Sequence, residues 1–326
     1  MTAKPLPVDY QTALEGAAWY AIPQPGCVLV RGRDQVSFLQ RQTTNDVRLL
    51  ADNRALLTVL TSPNARILDV LYLISESNDA ILALTLPNQG STTAAYFKKR
   101  IFFMDQVEVE EVSSQFTQID LVGPGRTDII RALGFIKPPQ PDEVLSVDWE
   151  GQPIRLLSSQ APVWLGWRLL IPAKAAADIQ AVLRATNAPE LAAATYHLLH
   201  LETGTPQAPS ELNEDYTPLE TGLITAISDA KGCYTGQEVI ARQINYDKIT
   251  QHLCGLRFSE LPPSGASVWM ENRAIGRVTS AGSSPRFGPI GLAVIKRPHF
   301  EPGAHVQVGN RPEQSQPAIV SPLPFY

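Results

Sequence analysis

The pattern of the chain changes near residue 250. Before that point, strand-like runs alternate with segments that carry helix signals, which indicates an α+β layout. After it, short strand-like segments are interrupted by Pro and Gly, and none of them has a convincing helix pattern. We therefore predict an α+β region over residues 1–248 and a small all-β barrel or sandwich over residues 249–326.

The α+β region contains three consecutive apolar runs, at 55–60, 67–74 and 80–86. The turn-rich stretches T-S-P-N-A-R and S-E-S-N-D-A separate these runs, a pattern that predicts an antiparallel meander. The neighbouring elements are predicted to be a strand at Cys27–Val30, a helix with Asp34 as its N-cap, a helix at 91–100 and a strand at 107–112.

A second set of elements follows in a similar order. These elements are predicted to be a strand at 117–122, a helix at 126–134, two strands within 144–158, a strand at 166–171 and a helix at 174–185. The similar order indicates that the α+β region consists of two related halves.

The net charge of the chain is −5 at pH 7. This acidic balance argues against a broad electrostatic surface for nucleic acid, although a local basic cleft is compatible with it. No stretch approaches the roughly 20 apolar residues that span a bilayer, and the first residues lack the apolar core of a signal peptide. We therefore expect no membrane partner and no direct nucleic-acid partner.

The chain has three cysteines, Cys27, Cys233 and Cys254, without C-x-x-C spacing. An odd number without that spacing disfavours a disulfide framework and a self-contained zinc or iron–sulfur site. Free thiols fit a reducing compartment, so we expect a cytoplasmic location.

Cys233 stands in the stretch K-G-C-Y-T-G-Q-E, just before a predicted helix. Thr235 and Glu238 have capping-box spacing, which predicts Thr235 as the N-cap. Glu238 and Arg242 are four residues apart, in the favourable order for an ion pair on a helix. Lys231 adds a positive charge, and both this charge and the positive end of the helix favour a thiolate.

Two interpretations of Cys233 stay open on these residues alone. It is either a reactive thiol in electropositive surroundings or a small apolar side chain that fills a turn. For Thr235 and Glu238 we favour the purely structural role of helix capping.

A helix is predicted over Pro189–Thr203, with Gly204 as its stop. Glu202 lies on the apolar side of this helix, where a carboxylate is costly unless something pairs with it. It is therefore either an acid that binds a ligand or a helix-end residue in a salt bridge. His197 and His200 are three residues apart with no third ligand evident nearby, so we predict no metal site there.

The stretch K-G-C-Y-T-G-Q-E-V-I-A-R over 231–242 resembles the YgfZ family. Its members are folate-binding proteins related to the glycine-cleavage T-protein, an aminomethyltransferase, and are linked to iron–sulfur cluster assembly or repair. Further stretches carry the resemblance: F-L-Q-R-Q-T-T-N-D-V (38–47), T-S-P-N-A-R-I-L (61–68), L-E-T-G-T-P (201–206), E-L-N (211–213), P-L-E-T-G-L (218–223), G-R-V-T-S (276–280) and G-P-I-G-L-A (288–293).

The resemblance implies a T-protein-like α+β fold: two ferredoxin-like units around a central folate cavity, followed by a small C-terminal β-barrel. Glu202 matches the T-protein acid that accepts hydrogen bonds from the pterin, a role that suits a carboxylate. Cys233 is the family's signature thiol, at the mouth of the cavity, and the expected catalytic residue. The other implied folate-binding residues are Asn45, Asp46, Lys231, Tyr234, Gln237 and Arg242.

Two stretches depart from the related families. Residues 243–248 read Q-I-N-Y-D-K where the YgfZ family often has a glycine-and-basic sequence, which puts folate contacts from this loop in doubt. T-proteins carry an acid after the third meander strand that activates the folate nitrogen, whereas residues 84–92 contain no acid. Without that acid we do not expect aminomethyl transfer. T-proteins also generally lack the cysteine motif.

The first functional hypothesis is a cytoplasmic tetrahydrofolate-binding protein that supports iron–sulfur assembly or repair in client enzymes. Cys233 would supply one ligand of a transient cluster or take part in thiol exchange. Because a cluster normally needs four ligands, iron–sulfur client or assembly proteins or small thiols must supply the rest. The alternative is a folate-dependent one-carbon (aminomethyl) transferase or demethylase, so whether the chain is an enzyme stays open. A third hypothesis, an accessory protein of tRNA modification, is disfavoured by the acidic charge.

Overall fold

The computed structural model describes residues 7–76, 79–161 and 163–325. They form two compact units. Unit 1 comprises residues up to Ser62, Leu68–Thr195 and Thr225–Thr235, and unit 2 comprises Pro63–Ile67, Tyr196–Ile224 and residues from Gly236 onwards. The predicted turn S-E-S-N-D-A includes positions 77 and 78, which lie outside the described residues. The predicted boundary after residue 248 stays a prediction.

Ten strands build two five-stranded sheets in the first part of the chain. The strands are β1 (Ala18–Ala21), β2 (Gly26–Arg31), β3 (Ala55–Thr61), β4 (Ile67–Glu76), β5 (Ala80–Thr85), β6 (Glu108–Glu111), β7 (Phe116–Val122), β8 (Val144–Trp149), β9 (Gln152–Ser158) and β10 (Trp167–Pro172). The helices are α1 (Val8–Glu15), α2 (Gln35–Gln42), α3 (Gly90–Lys98), α4 (Arg126–Ala132) and α5 (Ala176–Ala185).

The first sheet has the order β3-β4-β5-β2-β6, so the three apolar runs lie side by side as the meander predicts. Strand β4 pairs antiparallel with β5. The apolar faces of α2 and α3 pack on this sheet through Phe38, Leu39 and Phe97, all fully buried. The rings of Phe38 and Phe97 meet edge to face at 5.6 Å.

The second sheet has the order β1-β7-β10-β9-β8. In each sheet, the strand before the first helix (β2 or β7) lies between an edge strand and the strand before the second helix (β5 or β10). This shared arrangement confirms the two related α+β units, but they are not consecutive segments. The edge strand of the second sheet is β1, from the beginning of the chain, which pairs antiparallel with β7.

Strand β1 and helix α1 were absent from the sequence prediction. Four residues, A-W-Y-A, are too short for a periodic pattern to identify. Trp19 anchors the strand because its indole is fully buried and its N–H donates to the carbonyl of Ala188 at 3.1 Å. The same strand also binds the backbone of residues 189–191. The N–H of Trp19 donates to the Pro189 carbonyl, and the N–H of Leu191 donates to the Trp19 carbonyl.

This pairing corrects the predicted start of the helix at Pro189. Helix α6 covers Ala193–Thr203, and Glu190 forms a β-bridge with Trp19 instead of a helical turn. Gly204, with φ of 69°, ends the helix as predicted because glycine adopts the left-handed conformation without strain.

A buried polar network joins the two sheets within unit 1. Arg168 on β10 donates to both carboxylate oxygens of Asp120 on β7, at 2.7 and 2.9 Å, and to Gln118 at 3.2 Å. Gln118 in turn donates to the Gly26 carbonyl at 3.3 Å and to the Cys27 sulfur at 3.5 Å on β2. Burial raises the pKa of the Cys27 thiol to about 12. Cys27 is therefore a core side chain.

Residues after α7 (Gln237–Asn245) form a closed six-stranded barrel in unit 2, which confirms the predicted β-barrel. Its strands are β11 (Gln251–Phe258), β12 (Ser267–Met270), β13 (Arg273–Ser284), β14 (Gly288–Lys296), β15 (His305–Gly309) and β16 (Gln316–Ser321), in the order β11-β14-β13-β12-β15-β16. Alternate side chains of β11 such as Cys254, Leu256 and Phe258 point into the apolar interior.

Asp69 is a fully buried carboxylate on β4. It accepts hydrogen bonds from the Thr93 hydroxyl at 2.5 Å and from the N–H groups of Leu86 and Val70 at 2.9 and 2.8 Å. Burial raises its pKa to about 7 despite these bonds, which favour the charged form. Asp69 therefore fixes β4 against the start of α3 while it keeps a proton near neutral pH.

Asp69→Asn should flatten the pH dependence of stability. Between about pH 4 and 7, the native carboxyl holds a proton that the unfolded chain has released, so the free energy of unfolding falls as pH rises, by on the order of 1 kcal/mol per pH unit. The asparagine amide cannot titrate and can still hydrogen-bond Thr93. Urea unfolding across this pH range measures the free energy of unfolding of wild type and variant. The control is Asp128→Asn, at an exposed aspartate of α4. Parallel slopes for wild type and Asp69→Asn would contradict the assignment.

Candidate functional site

The cysteine-containing segment of unit 1, residues 225–235, is fixed by Lys231. The ammonium group donates to the carbonyls of Thr43 and Asn45, both at 2.6 Å, and only 5% of the residue is exposed. The ring of Tyr234 lies 5.0 Å from the Lys231 nitrogen, within range of a cation–π contact. Burial lowers the pKa of Lys231 to about 8, against the opposing effect of the Asp46 carboxylate.

Further hydrogen bonds hold the same segment. The Thr44 hydroxyl donates to the Ala226 carbonyl at 2.6 Å, and Ser228 N–H donates to the Thr44 carbonyl at 3.1 Å. The Thr61 hydroxyl donates to the Thr235 carbonyl at 2.7 Å. Residues 225–235 therefore have a defined position on the turn at 43–46.

Asn45 and Asp46 shape that turn. The Asn45 side chain donates to the carbonyls of Leu57 and Thr225, at 2.8 and 3.2 Å, and accepts from Asp46 N–H at 2.9 Å. Hydrogen bonds from Arg48 hold the pKa of Asp46 at about 2. Contacts within unit 1 thus hold Asn45 and Asp46 in place beside Lys231. Their predicted role in binding a ligand stays a prediction.

Cys233 is exposed, whereas Cys27 and Cys254 are buried. Burial raises the pKa of both buried thiols to about 12, so neither ionises near neutral pH. Of the two interpretations of Cys233, the structure excludes the buried side chain that fills a turn. Its neighbour Tyr234 is partly buried, and burial raises its pKa to about 12.

The predicted capping box is wrong. Helix α7 has Gly236 as its N-cap, with φ of 86° and no side-chain cap. Thr235 is held elsewhere: its N–H donates to the Arg41 carbonyl at 3.3 Å, and its carbonyl accepts from Thr61. Cys233 thus lies three residues before the N-cap instead of two, which weakens the expected influence of the helix end.

Helix α7 carries two of the predicted folate-binding residues. Gln237 is its first residue and is partly exposed, and Arg242 forms the predicted ion pair with Glu238 on the exposed face. Such an exposed pair contributes little to stability. Both residues belong to unit 2, whereas Lys231, Tyr234, Asn45 and Asp46 come together in unit 1.

Glu202 lies near the end of α6, in unit 2, and is 4% exposed. The Ser284 hydroxyl on β13 donates to one carboxylate oxygen at 2.6 Å, and a guanidinium nitrogen of Arg286 lies 3.8 Å from the other. The backbone carbonyl of Glu202 accepts from Phe325 N–H at 2.9 Å. Both sequence interpretations of Glu202, ligand acid and salt-bridged helix end, are compatible with this environment.

Unit 2 also contains a cavity of about 390 Å³, lined by His197, His200 and Glu211 among others. Glu211 is 1% exposed and accepts from the Ser280 hydroxyl at 2.6 Å and from Gln207 N–H at 2.9 Å. Burial raises its pKa. In the sequence, Glu211 belongs to the E-L-N stretch that carries the family resemblance, but that stretch does not indicate that Glu211 is buried or that it lines a cavity with His197 and His200.

Across 7–76, 79–161 and 163–325, no cluster of three or more His, Cys, Asp or Glu could bind a metal.

Lys231→Met should destabilise the protein by about 1–3 kcal/mol, because the carbonyls of Thr43 and Asn45 lose their donor in a buried place. Urea unfolding measures the loss, and hydrogen exchange should show faster opening of residues 225–235. The exposed Lys174→Met is the matched control. Equal stability of the two variants would show that Lys231 does not anchor the segment.

Cys233 should react with iodoacetamide at neutral pH far faster than the two buried cysteines. Mass spectrometry of peptides from the native protein should find the first adduct on Cys233, and modification of Cys27 and Cys254 only after unfolding. Cys233→Ser should abolish the fast reaction. Equal alkylation rates at Cys27, Cys233 and Cys254 would refute the prediction that Cys233 is the most reactive thiol.

The chain is similar to known proteins in both sequence and fold. The model of the GCVT N-terminal domain matches residues 9–231, and that of the glycine cleavage T-protein C-terminal barrel domain matches residues 251–326. A chloroplastic protein of Arabidopsis thaliana with the provisional name of transferase is 31% identical, over 92% of this chain and 69% of its own. An aminomethyltransferase of Listeria monocytogenes is 26% identical, over 98% of this chain and 89% of its own.

The fold is also that of a solved T-protein. The glycine cleavage system aminomethyltransferase T of Bartonella henselae superposes with a TM-score of 0.85, at 20% identity, over 98% of this chain and 88% of its own. This likeness confirms the predicted T-protein-like α+β fold with its C-terminal barrel. The two domain matches together span most of the chain, which therefore belongs to the glycine cleavage T-protein family.

Proposed function

We propose that this chain is a tetrahydrofolate-binding member of the YgfZ type that supports iron–sulfur cluster assembly or repair in client enzymes, with Cys233 as its working thiol. The observation that carries the proposal is the exposure of Cys233 on a segment anchored by the buried Lys231. A fixed, accessible thiol suits contact with a partner, whereas the other two thiols are enclosed. A cytoplasmic location is part of the proposal, although one relative is chloroplastic.

The folate side of the proposal rests on Glu202 and the family. Glu202 is a buried carboxylate that accepts from the Ser284 hydroxyl, and a carboxylate is a chemically suitable acceptor for the N–H groups of a pterin edge. Its burial would strengthen such charge-assisted bonds. The residues proposed to contact the rest of the folate are Asn45, Asp46, Lys231, Tyr234, Gln237 and Arg242.

The residues described do not fit a resident iron–sulfur cluster. Cluster binding normally takes four ligands, and of the three cysteines only Cys233 is exposed. We propose instead that Cys233 acts together with a partner's ligands or by thiol exchange. In exchange, its thiolate attacks a disulfide sulfur of the partner, forms a mixed disulfide and releases the partner's other thiolate.

The alternative function is folate-dependent one-carbon transfer, and the names of the Listeria and Arabidopsis relatives favour it. Residues 84–92, however, contain no acid. Asp69 accepts the N–H of Leu86 at the edge of this stretch, but it is fully buried and already has three donors. It does not replace an acid that must touch folate. A role in tRNA modification stays a weaker prediction.

Glu202→Gln and Cys233→Ser should separate the two parts of the proposed function. Glu202→Gln should weaken tetrahydrofolate binding by about 1.5–3 kcal/mol, roughly ten- to a hundredfold, through loss of a charged acceptor, as measured by calorimetry. Cys233→Ser should bind folate like wild type but fail to restore iron–sulfur enzyme activity in cells that lack the protein. Glu260→Gln, at an exposed acid of unit 2, is the matched control for both measurements.

Three outcomes would each overturn part of this assignment. Unchanged folate affinity of Glu202→Gln would remove the pterin role of that residue. Full rescue of iron–sulfur enzymes by Cys233→Ser would remove the thiol role. Formation of methylene-tetrahydrofolate from an aminomethyl donor, with release of ammonia, by the purified protein would establish the one-carbon transferase instead.

A further inference from the structure

Three consecutive apolar side chains stand exposed on the loop between α3 and β6 in unit 1. The exposed fractions are 63% for Phe102, 103% for Phe103 and 85% for Met104. Single exposed apolar side chains are ordinary on protein surfaces, but an adjacent group of large ones marks an interaction site. We call Phe102–Met104 the apolar tip.

The apolar tip is held in place by polar contacts. The Asp105 carboxylate accepts from Phe102 N–H at 2.8 Å and from Arg41 with both oxygens, at 2.9 and 2.8 Å. The Arg41 guanidinium lies 5.3 Å from the centroid of the Phe102 ring. Gln106 N–H donates to Asp34 at 2.9 Å. The exposure of the tip is therefore a feature of a braced loop and not of a frayed one.

Three cations, Lys98, Lys99 and Arg100, precede the apolar tip and are separated from it by Ile101. Within the described ranges, none of them has an acidic side chain at ion-pair distance, and the guanidinium of Arg100 stacks on the Tyr96 ring at 3.4 Å. A cation near the C-terminal end of a helix interacts favourably with the helix dipole, which explains the position of Lys98 at the end of α3. The dipole does not explain why the apolar tip is exposed. In a chain of net charge −5, these three positive charges precede the tip, and the acids of residues 105–111 follow it.

We propose that the apolar tip and its three cations form a peripheral binding element for an anionic lipid bilayer. Phe102, Phe103 and Met104 enter the interface between headgroups and acyl chains, while Lys98–Arg100 contact the anionic headgroups. A stable protein interface uses about 20–30 residues on each side, far more than this tip offers, whereas insertion into lipid needs only a few apolar side chains. The positive flank matches the negative charge of the bilayer surface.

This proposal is independent of folate and of Cys233. It departs from the expectation that the chain has no membrane partner, which rested on the lack of a spanning segment. No helix of the described ranges is long and apolar enough to cross a bilayer, but interfacial binding does not require one.

Co-sedimentation of the full chain with lipid vesicles tests the proposal. The protein should bind vesicles of phosphatidylcholine with about 30% phosphatidylglycerol at low salt, bind pure phosphatidylcholine weakly, and lose binding as salt rises. Phe103→Ser, and separately Lys98→Gln with Lys99→Gln, should each weaken binding by about tenfold or more. The matched control is Ile136→Ser, at an isolated apolar side chain that is 94% exposed.

The depth of insertion provides a second readout. With Phe103→Trp, the new indole fluorescence should shift to shorter wavelength on anionic vesicles and be quenched by brominated acyl chains. Absence of wild-type binding to anionic vesicles at low salt would overturn the proposal and leave the tip to a protein partner. An equal loss of binding in Ile136→Ser, or binding of Phe103→Ser at the wild-type level, would overturn it as well.

Discussion

The buried ammonium group of Lys231 fixes the position of the cysteine segment, residues 225–235, in unit 1. A charge removed from water is costly unless it is paired or hydrogen-bonded, and here two backbone carbonyls of the turn at 43–46 accept from it. Since both acceptors are backbone, the contact specifies where residues 225–235 must lie. Cys233, two residues later, is exposed on this anchored segment. An exposed thiol on a braced segment loses less entropy on meeting a partner than one on a mobile loop.

A second buried charge, Arg168, serves the scaffold. Its pairing with Asp120 and Gln118 joins the two sheets of unit 1 across to β2 and uses Cys27 as an apolar filler and weak acceptor. Buried ion pairs seldom add much net stability, but removal of one partner is costly. The network therefore favours one pairing of the sheets over others. The three cysteines thus divide by environment, with two in the cores and one accessible.

The sequence predicted the elements whose signals are local and missed those that depend on distant contacts. The meander over 55–86 and the barrel strands follow from apolar runs between turn residues, and they were predicted correctly. Strand β1 could not be predicted because its four residues gain their structure from pairing with β7. The capping box failed because Thr61 and Arg41, far away in the chain, hold Thr235. In the same way, the burial of Glu211 depends on barrel residues such as Ser280.

Arg41 contacts both the loop at 102–105 and the cysteine segment at 225–235. Its guanidinium braces Asp105 and Phe102, and its backbone carbonyl accepts the N–H of Thr235, two residues after Cys233. Substitution of Arg41 would therefore remove the brace of the loop but leave the hydrogen bond from Thr235, because the acceptor of that bond is backbone.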